Sequence, residues 1–231
     1  MKCPGQDTQY WKPGAIFEVK CPECGGSVEF FKDDTARKCP ACGHRFINPK
    51  MDFGCASYCQ YAEQCLGDLP PELLAQKEDM LKDRVAVEVK RYFKSDFKKI
   101  GHAMRVARYA ERIGKFESGN LAVILSAAYL QDVGGDRASK ENGKCAEARN
   151  ILEKLGARQR LIDEVCEILD PPGRPSPADG VNLRVVFDAD RIASLEELQK
   201  SDPMPAASLA SLIEEELITE TGKNEARKVL L

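Results

Sequence analysis

Ten cysteines occur in this chain of 231 residues, and eight of them fall within the first 65. Two matching pairs stand out there: Cys21-Pro22-Glu23-Cys24-Gly25 and Cys39-Pro40-Ala41-Cys42-Gly43, with 14 residues between Cys24 and Cys39. Two intervening residues turn both thiols of a pair to one side of a tight turn, and the following glycine lets backbone amides approach sulfur. Four thiolates gathered this way suit a tetrahedral divalent ion, and zinc is the usual occupant. Cys21, Cys24, Cys39 and Cys42 are therefore the expected zinc ligands, and His44 is expected to remain a surface side chain. So short a segment has little apolar core, so the metal supplies much of its folding free energy. Clustered thiols in a reducing compartment point to metal rather than to disulfides.

A second group, Cys55-x3-Cys59-x5-Cys65, holds three thiols in 11 residues, and Cys3 is the obvious fourth. A [4Fe–4S] cluster tolerates such irregular spacing and suits the aromatic shell that Tyr58 and Tyr61 offer. A second zinc would also satisfy four thiolates, though zinc sites usually show a two- to four-residue knuckle that is absent here, and unliganded thiols are the third reading. Cys145 and Cys166 lie outside the cluster, within helical patterns, and are expected to be small buried hydrophobes.

Composition changes near Asp68. Residues 1–68 are rich in Cys, Gly and Pro, with β-type runs at Ile16–Val19 and Ser27–Phe31. From Pro70-Pro71 onward, apolar residues recur every three or four positions, as in Leu74, Leu81, Val85, Val89 and Phe93, which predicts helices. Ser95-Asp96, Ser118-Gly119-Asn120, Gly134-Gly135-Asp136 and Gly156 supply caps and breakers. Four prolines between Pro171 and Pro177 require a loop. The expected organisation is a cysteine-rich metal-binding domain over 1–68 and an all-α domain over 69–231.

Charge narrows the choice of partner. Residues 1–68 carry 8 Lys and Arg against 9 Asp and Glu, and the whole chain has a formal net charge of −3. That balance argues against nucleic acid, whose binders neutralise phosphates with a basic excess. The strongly apolar stretch Leu121–Leu130 has 10 residues and suits a buried helix rather than a membrane span. No apolar run follows Lys2, so a cytoplasmic location is expected.

Three separated segments carry chemistry: Gly101-His102-Ala103-Met104-Arg105-Val106, then Ala127-Ala128-Tyr129-Leu130-Gln131-Asp132-Val133-Gly134, then Phe187-Asp188-Ala189-Asp190-Arg191-Ile192. Taken singly, Asp188 reads as an N-cap and Asp132 as turn chemistry. In order, the segments resemble the HD-domain superfamily of metal-dependent phosphohydrolases. That pattern is H-x-x-R-V, then A-A-x-L-H-D-I-G, then D-A-D-R-hydrophobic, and the likeness spans about residues 84–200. The front segment, in turn, looks like a zinc ribbon. The implied fold class is a small metal-bound β domain, zinc-ribbon-like, followed by an all-α HD-type bundle.

The resemblance implies that His102, Gln131, Asp132 and Asp190 surround one divalent ion, whether magnesium, manganese, iron or zinc. It also implies that Asp132 positions the attack while Arg105 contacts phosphate or orients a neighbour. The substrate class implied is a nucleotide or other phosphoester. Three departures bear on this. Gln131 stands where the family has histidine, Gly135 replaces a frequent lysine, and Leu169-Asp170-Pro171-Pro172 occupies the place of a later histidine-bearing loop. An amide oxygen binds a divalent ion more weakly than imidazole and prefers hard ions. The alternative function is therefore a catalytically weakened accessory, assembly or redox-sensing protein, working with a partner protein and carrying an iron–sulfur or zinc site.

Overall fold

The structure, a computed structural model, describes residues 14–32, 34, 36–50, 71–134 and 145–231. By contacts the chain divides into two compact units, Met1–Lys77 and Glu78–Leu231. The expected boundary at 68/69 lies outside the described residues, as do Cys3, Cys55, Cys59 and Cys65.

The first unit contains two short hairpins. Strands β1 (Ile16–Lys20) and β2 (Ser27–Phe31) pair antiparallel with Phe17 opposite Phe30, and β3 (Ala36–Lys38) pairs antiparallel with β4 (Arg45–Ile47). Strict alternation in β2 turns Val28 and Phe30 inward, where they join Cys21 and Cys39 in a small core. Phe30 is fully buried, stacked on Phe17 at 6.1 Å and edge-on to Phe46 at 5.3 Å. Asn48 is buried with its hydrogen bonds satisfied. Its Nδ2 donates to the carbonyls of Phe31 and Asp34, and its Oδ1 accepts from the Lys50 amide. It thereby ties the end of β4 to the end of β2, which helps so small a core.

The remainder is helical: α1 (Pro71–Phe93), α2 (Phe97–Phe116), α3 (Leu121–Leu130), α4 (Cys145–Lys154), α5 (Gln159–Leu169), α6 (Val181–Ser201), α7 (Ala206–Glu216) and α8 (Glu220–Leu230). Two of the expected caps act as such. Asp96 accepts from the Lys99 amide at the start of α2, and Asn120 accepts from the Ala122 and Val123 amides at the start of α3. The largely apolar sequence of α3, interrupted by the buried Ser126, has a physical cause, since the helix is buried on nearly every side. Alanines 103, 107 and 110 and Gly114 on α2 permit close helix packing. A Cβ at Gly114 would stand 3.1 Å from both Leu121 and Ile124 side chains.

Two expectations need correcting. Asp188 does not cap its own helix, because α6 begins at Val181 and places Asp188 two turns inside. Instead it is fully buried and accepts hydrogen bonds from the Ile218 amide, the Thr219 amide and the Thr219 hydroxyl at the start of α8. Cys145 and Cys166 are not separate hydrophobic side chains but a disulfide, with Cα atoms 5.0 Å apart. The α4–α5 hairpin brings the first turn of one helix beside the last turns of the other, which linear periodicity does not reveal. Among the described residues, no helix is long and apolar enough to cross a membrane.

Candidate functional site

Each cysteine pair of the front unit closes the same turn. The Gly25 amide donates to the Cys21 carbonyl and the Cys21 amide to the Gly26 carbonyl. The Gly43 amide likewise donates to Cys39, and the Cys39 amide to His44. Gly25 and Gly43 sit at φ of +71° and +75°, where side-chain-bearing residues are strained. The repeated turn gathers four sulfurs within 4.8 Å of one another. Cys21 Sγ lies 3.7 Å from Cys42 Sγ, and Cys24 Sγ 3.6 Å from Cys39 Sγ. Sulfurs bound to one tetrahedral zinc at about 2.3 Å stand about 3.8 Å apart, so the donor set fits such an ion.

The thiols themselves register the crowding. The Cys42 amide holds the Cys39 thiol down to about 7. Cys42 is pushed up to about 12: the His44 amide pulls it down, and hydrogen bonding with the Cys24 sulfur together with burial outweighs that pull. Four sulfurs around one point cannot all ionise without a cation between them. His44 stacks on Phe46 at 6.1 Å and lies outside this group of donors.

In the helical unit, α2 and α6 face one another and supply the second set of groups. His102 Nε2 lies 3.1 Å from Asp190 Oδ1, and His102 Nδ1 lies 3.1 Å from Glu197 Oε1. Gln131, at the C-terminal end of α3, donates its Nε2 to Asp190 Oδ1 at 2.8 Å and stands 3.4 Å from His102 Nε2. Arg105, one turn after His102, donates to the same Glu197 oxygen that His102 uses. Its Nε is buried with no hydrogen-bond partner among the described residues. Hydrogen bonding to Asp190 raises the His102 pKa above its ordinary value, burial opposes the rise, and the Asp132 charge adds to it.

Of the residues singled out from sequence, His102, Gln131 and Asp190 thus meet directly. Asp132 acts on His102 through charge alone. Its carboxylate does not come within 4.8 Å of both other donors, since among the described residues only the four cysteines form a group that tight. Arg105 is paired with Glu197, a residue the sequence reading missed. The available signal was spacing: Glu197 follows Asp190 by seven positions, two turns along the same helical face.

The groups that meet at this second place are one imidazole nitrogen, an Asp190 oxygen and the Gln131 amide, with the Asp132 carboxylate farther off. Two donors about 2.1 Å from an octahedral ion stand about 3.0 Å apart, close to the His102–Asp190 separation of 3.1 Å, so that pair alone has the spacing of two ligands of a hard divalent cation. A cavity of about 180 Å³ opens beside them, with Gln131 and Asp190 at its polar end and Leu169, Pro171, Pro175 and Phe187 among its walls.

No protein-family model matches the sequence, and no curated protein matches it. Solved structures do resemble the chain. An HD-superfamily hydrolase from Bacillus thuringiensis shares 21% identity, covering 66% of this chain and 90% of its own, with a TM-score of 0.50. YpgQ from Bacillus subtilis shares 21% identity over 66% of this chain and 88% of its own, with a TM-score of 0.49. A protein described as a predicted HD-superfamily hydrolase, from an uncultured Thermotogales bacterium, shares 20% over 65% and 83%, with a TM-score of 0.44. Likeness at this level concerns the fold. The helical unit has the fold of the HD-superfamily hydrolases, and in this chain it follows a four-cysteine cluster that can hold a metal ion.

Proposed function

We propose that this protein is a metal-dependent phosphohydrolase of HD type acting on a nucleotide or other phosphoester. One observation carries the reading: His102 Nε2, Asp190 Oδ1 and the Gln131 amide nitrogen converge within 3.4 Å of one another beside a cavity. His102, Gln131, Asp132 and Asp190 would hold a divalent ion, with magnesium or manganese favoured by the oxygen-rich donor set. Such an ion, when bound, polarises a phosphoryl oxygen and makes bound water a better nucleophile.

The residues do the rest. Asp190 and His102 would fix where that ion sits beside the cavity. Asp132, uncommitted to any hydrogen bond among the described residues, orients the attacking water and takes its proton. The Arg105 guanidinium, which donates to Glu197, would contact phosphate or orient a neighbour. The cavity beside them receives the non-phosphate part of the substrate.

Cys21, Cys24, Cys39 and Cys42 hold zinc as a structural staple, and Cys3, Cys55, Cys59 and Cys65 hold a [4Fe–4S] cluster or a second zinc. The two domains run over 1–68 and 69–231, in a cytoplasmic protein. Turnover of a phosphoester and pyrophosphate panel with magnesium, manganese, cobalt and iron tests the main reading. Activity that disappears in Asp190→Asn supports it, and no turnover with any of the four metals would sink it.

A second reading is favoured by the Gln131–Asp190 hydrogen bond, which already satisfies the carboxylate without a cation. On that reading the domain is a weakened accessory or assembly subunit engaging a partner protein. Metal binding that appears only in Gln131→His would select this reading over the first.

A further inference from the structure

One disulfide stands outside both groups of metal donors. Cys145 opens α4, Cys166 lies one turn before the end of α5, and both residues are half-buried rather than sealed in the core. We propose that Cys145 and Cys166 are a redox-active pair that exchanges with low-molecular-weight thiols and disulfides, and that the state of their bond decides how firmly the cavity wall at the end of α5 is held to α4. The pair supplies no ligand to the second site, so its chemistry stands or falls apart from the phosphohydrolase reading.

The two sulfurs have different electrostatic settings. Arg149, one turn after Cys145 on α4, reaches across to α5 and places its Nη2 3.8 Å from Cys166 Sγ. The same Nη2 donates to Asp163 Oδ1 at 3.0 Å, one turn before Cys166, which steadies the guanidinium against the sulfur. Asp163 offsets part of that positive charge, but the guanidinium is the group in contact. At the other sulfur's residue, the Cys145 amide donates to Asp170 Oδ2 at 3.0 Å, so the nearby charge is a carboxylate. A cation favours a thiolate and an anion disfavours it. Cys166 is therefore the better leaving group, and an incoming thiol opens the bond at Cys145.

The exchange balances with two thiols. The first thiolate attacks Cys145 Sγ, the S–S bond breaks, and its electron pair leaves on Cys166 Sγ beside Arg149. The second thiolate attacks the outer sulfur of the mixed disulfide, forming a free disulfide and releasing Cys145 as a thiolate. The two protons lost by the thiols end on Cys145 and Cys166, and a small disulfide runs the same steps in reverse. The front unit points the same way. Cys21, Cys24, Cys39 and Cys42 hold a metal only as thiolates, and where thiols stay reduced the disulfides that do form are as a rule catalytic or redox-sensing.

What the bond holds is a wall of the cavity. Ile168 and Leu169 in the last turn of α5, with Pro171 just beyond it, line the cavity that has Gln131 and Asp190 at its polar end. The bond ties this turn covalently to the start of α4, whereas the exposed Asp170 contact is a weak tie. After reduction, buried Ala148, Leu152, Leu161 and Val165 keep both helices in the core, and the last turn of α5 opens locally more often.

The test uses the full chain. Tryptic cleavage after Lys144, Lys154 and Arg160 puts Cys145 and Cys166 on separate peptides, so mass spectrometry follows each one. In glutathione buffers stepped from oxidised to reduced and back, the Cys145–Cys166 disulfide should disappear and re-form. A bond that persists at the reduced end, or does not return, overturns the proposal. In reduced protein, Arg149→Met should slow iodoacetamide labelling of Cys166 about tenfold at neutral pH, while Arg149→Lys keeps most of the rate. An unchanged Cys166 rate in Arg149→Met overturns the activated-thiolate role. Amide hydrogen exchange over residues 159–170 should quicken on reduction. The double variant Cys145→Ser, Cys166→Ser should show the same pattern without reductant, which separates the effect from any loss of metal at the tetrad. Identical exchange in the oxidised, reduced and serine forms overturns the tether.

Discussion

Gln131 Nε2 and Asp190 Oδ1 are 2.8 Å apart, so a side-chain amide from the end of α3 donates to the carboxylate where a cation would otherwise contribute positive charge. The same amide nitrogen stands 3.4 Å from His102 Nε2. The departure from the family's histidine is thus not a gap: the glutamine closes the network with a neutral donor. To admit an ion, the amide has to turn and offer Oε1, giving up its bond to Asp190.

Gln131→His removes that competition and adds a nitrogen donor. Divalent-ion affinity is expected to rise roughly 10–100-fold relative to wild type, measured by Mn2+ paramagnetic resonance or calorimetry. An unaltered affinity would mean that position 131 does not face the ion.

The elevated pKa of His102 makes a pH prediction for the metal-free protein. Because Asp190 favours the protonated ring in the folded state, its stabilisation is complete below the ordinary value of 6.5 and fades as pH rises through the higher folded value. The melting-temperature difference between wild type and His102→Gln should therefore be largest below pH 6.5 and shrink as pH rises above it. Divalent-ion affinity should move the opposite way and strengthen over that window, since proton and metal compete for Nε2.

Asp188 holds the start of α8 from another helix. Asp188→Ala leaves two backbone amides and a hydroxyl without their acceptor inside the core and should destabilise by about 2–4 kcal/mol in urea. Thr219→Ala, which removes the N-cap that accepts from the Gly222 amide, should cost about 1 kcal/mol. A Cβ at Gly222 would lie 2.5 Å from Asp188 Oδ2 and 2.8 Å from Thr219 Oγ1, so Gly222→Ala should cost about 1–3 kcal/mol. Near-wild-type melts for all three would remove Asp188 from this role.

Reducing the Cys145–Cys166 bond releases a loop with a sequence separation of 21 and is expected to lower stability by about 3 kcal/mol. Urea melts with and without a phosphine reductant measure this, and Cys166→Ser should reproduce the reduced value without reductant.

Stripping metal from the cysteine tetrad, by chelation or by Cys39→Ser, should release one zinc and expose residues 14–50 to protease while the helical unit resists. The contrast follows from the small core around Phe30, which would have little besides a bound metal to hold it. Intact strands after complete metal loss would contradict the staple role.

Much of this was legible in linear order because the signals are local. Cys-x2-Cys pairs dictate their own turns, and the alternation of β2 and the caps Asp96 and Asn120 act within a few residues of themselves. His102, Gln131 and Asp190 were also identifiable, since each sits in a short segment of recognisable pattern. What sequence by itself determined is the two cysteine turns, strands β1 and β2, the helical character of the later residues, and that a thiol tetrad can chelate a metal. Only the tertiary structure decided which groups touch across those elements: Glu197 on His102, Gln131 on Asp190, Asp188 on Thr219, and Cys145 on Cys166. Those contacts depend on how helices pack, through burial summed over many side chains, and no spacing along one chain encodes which faces will meet.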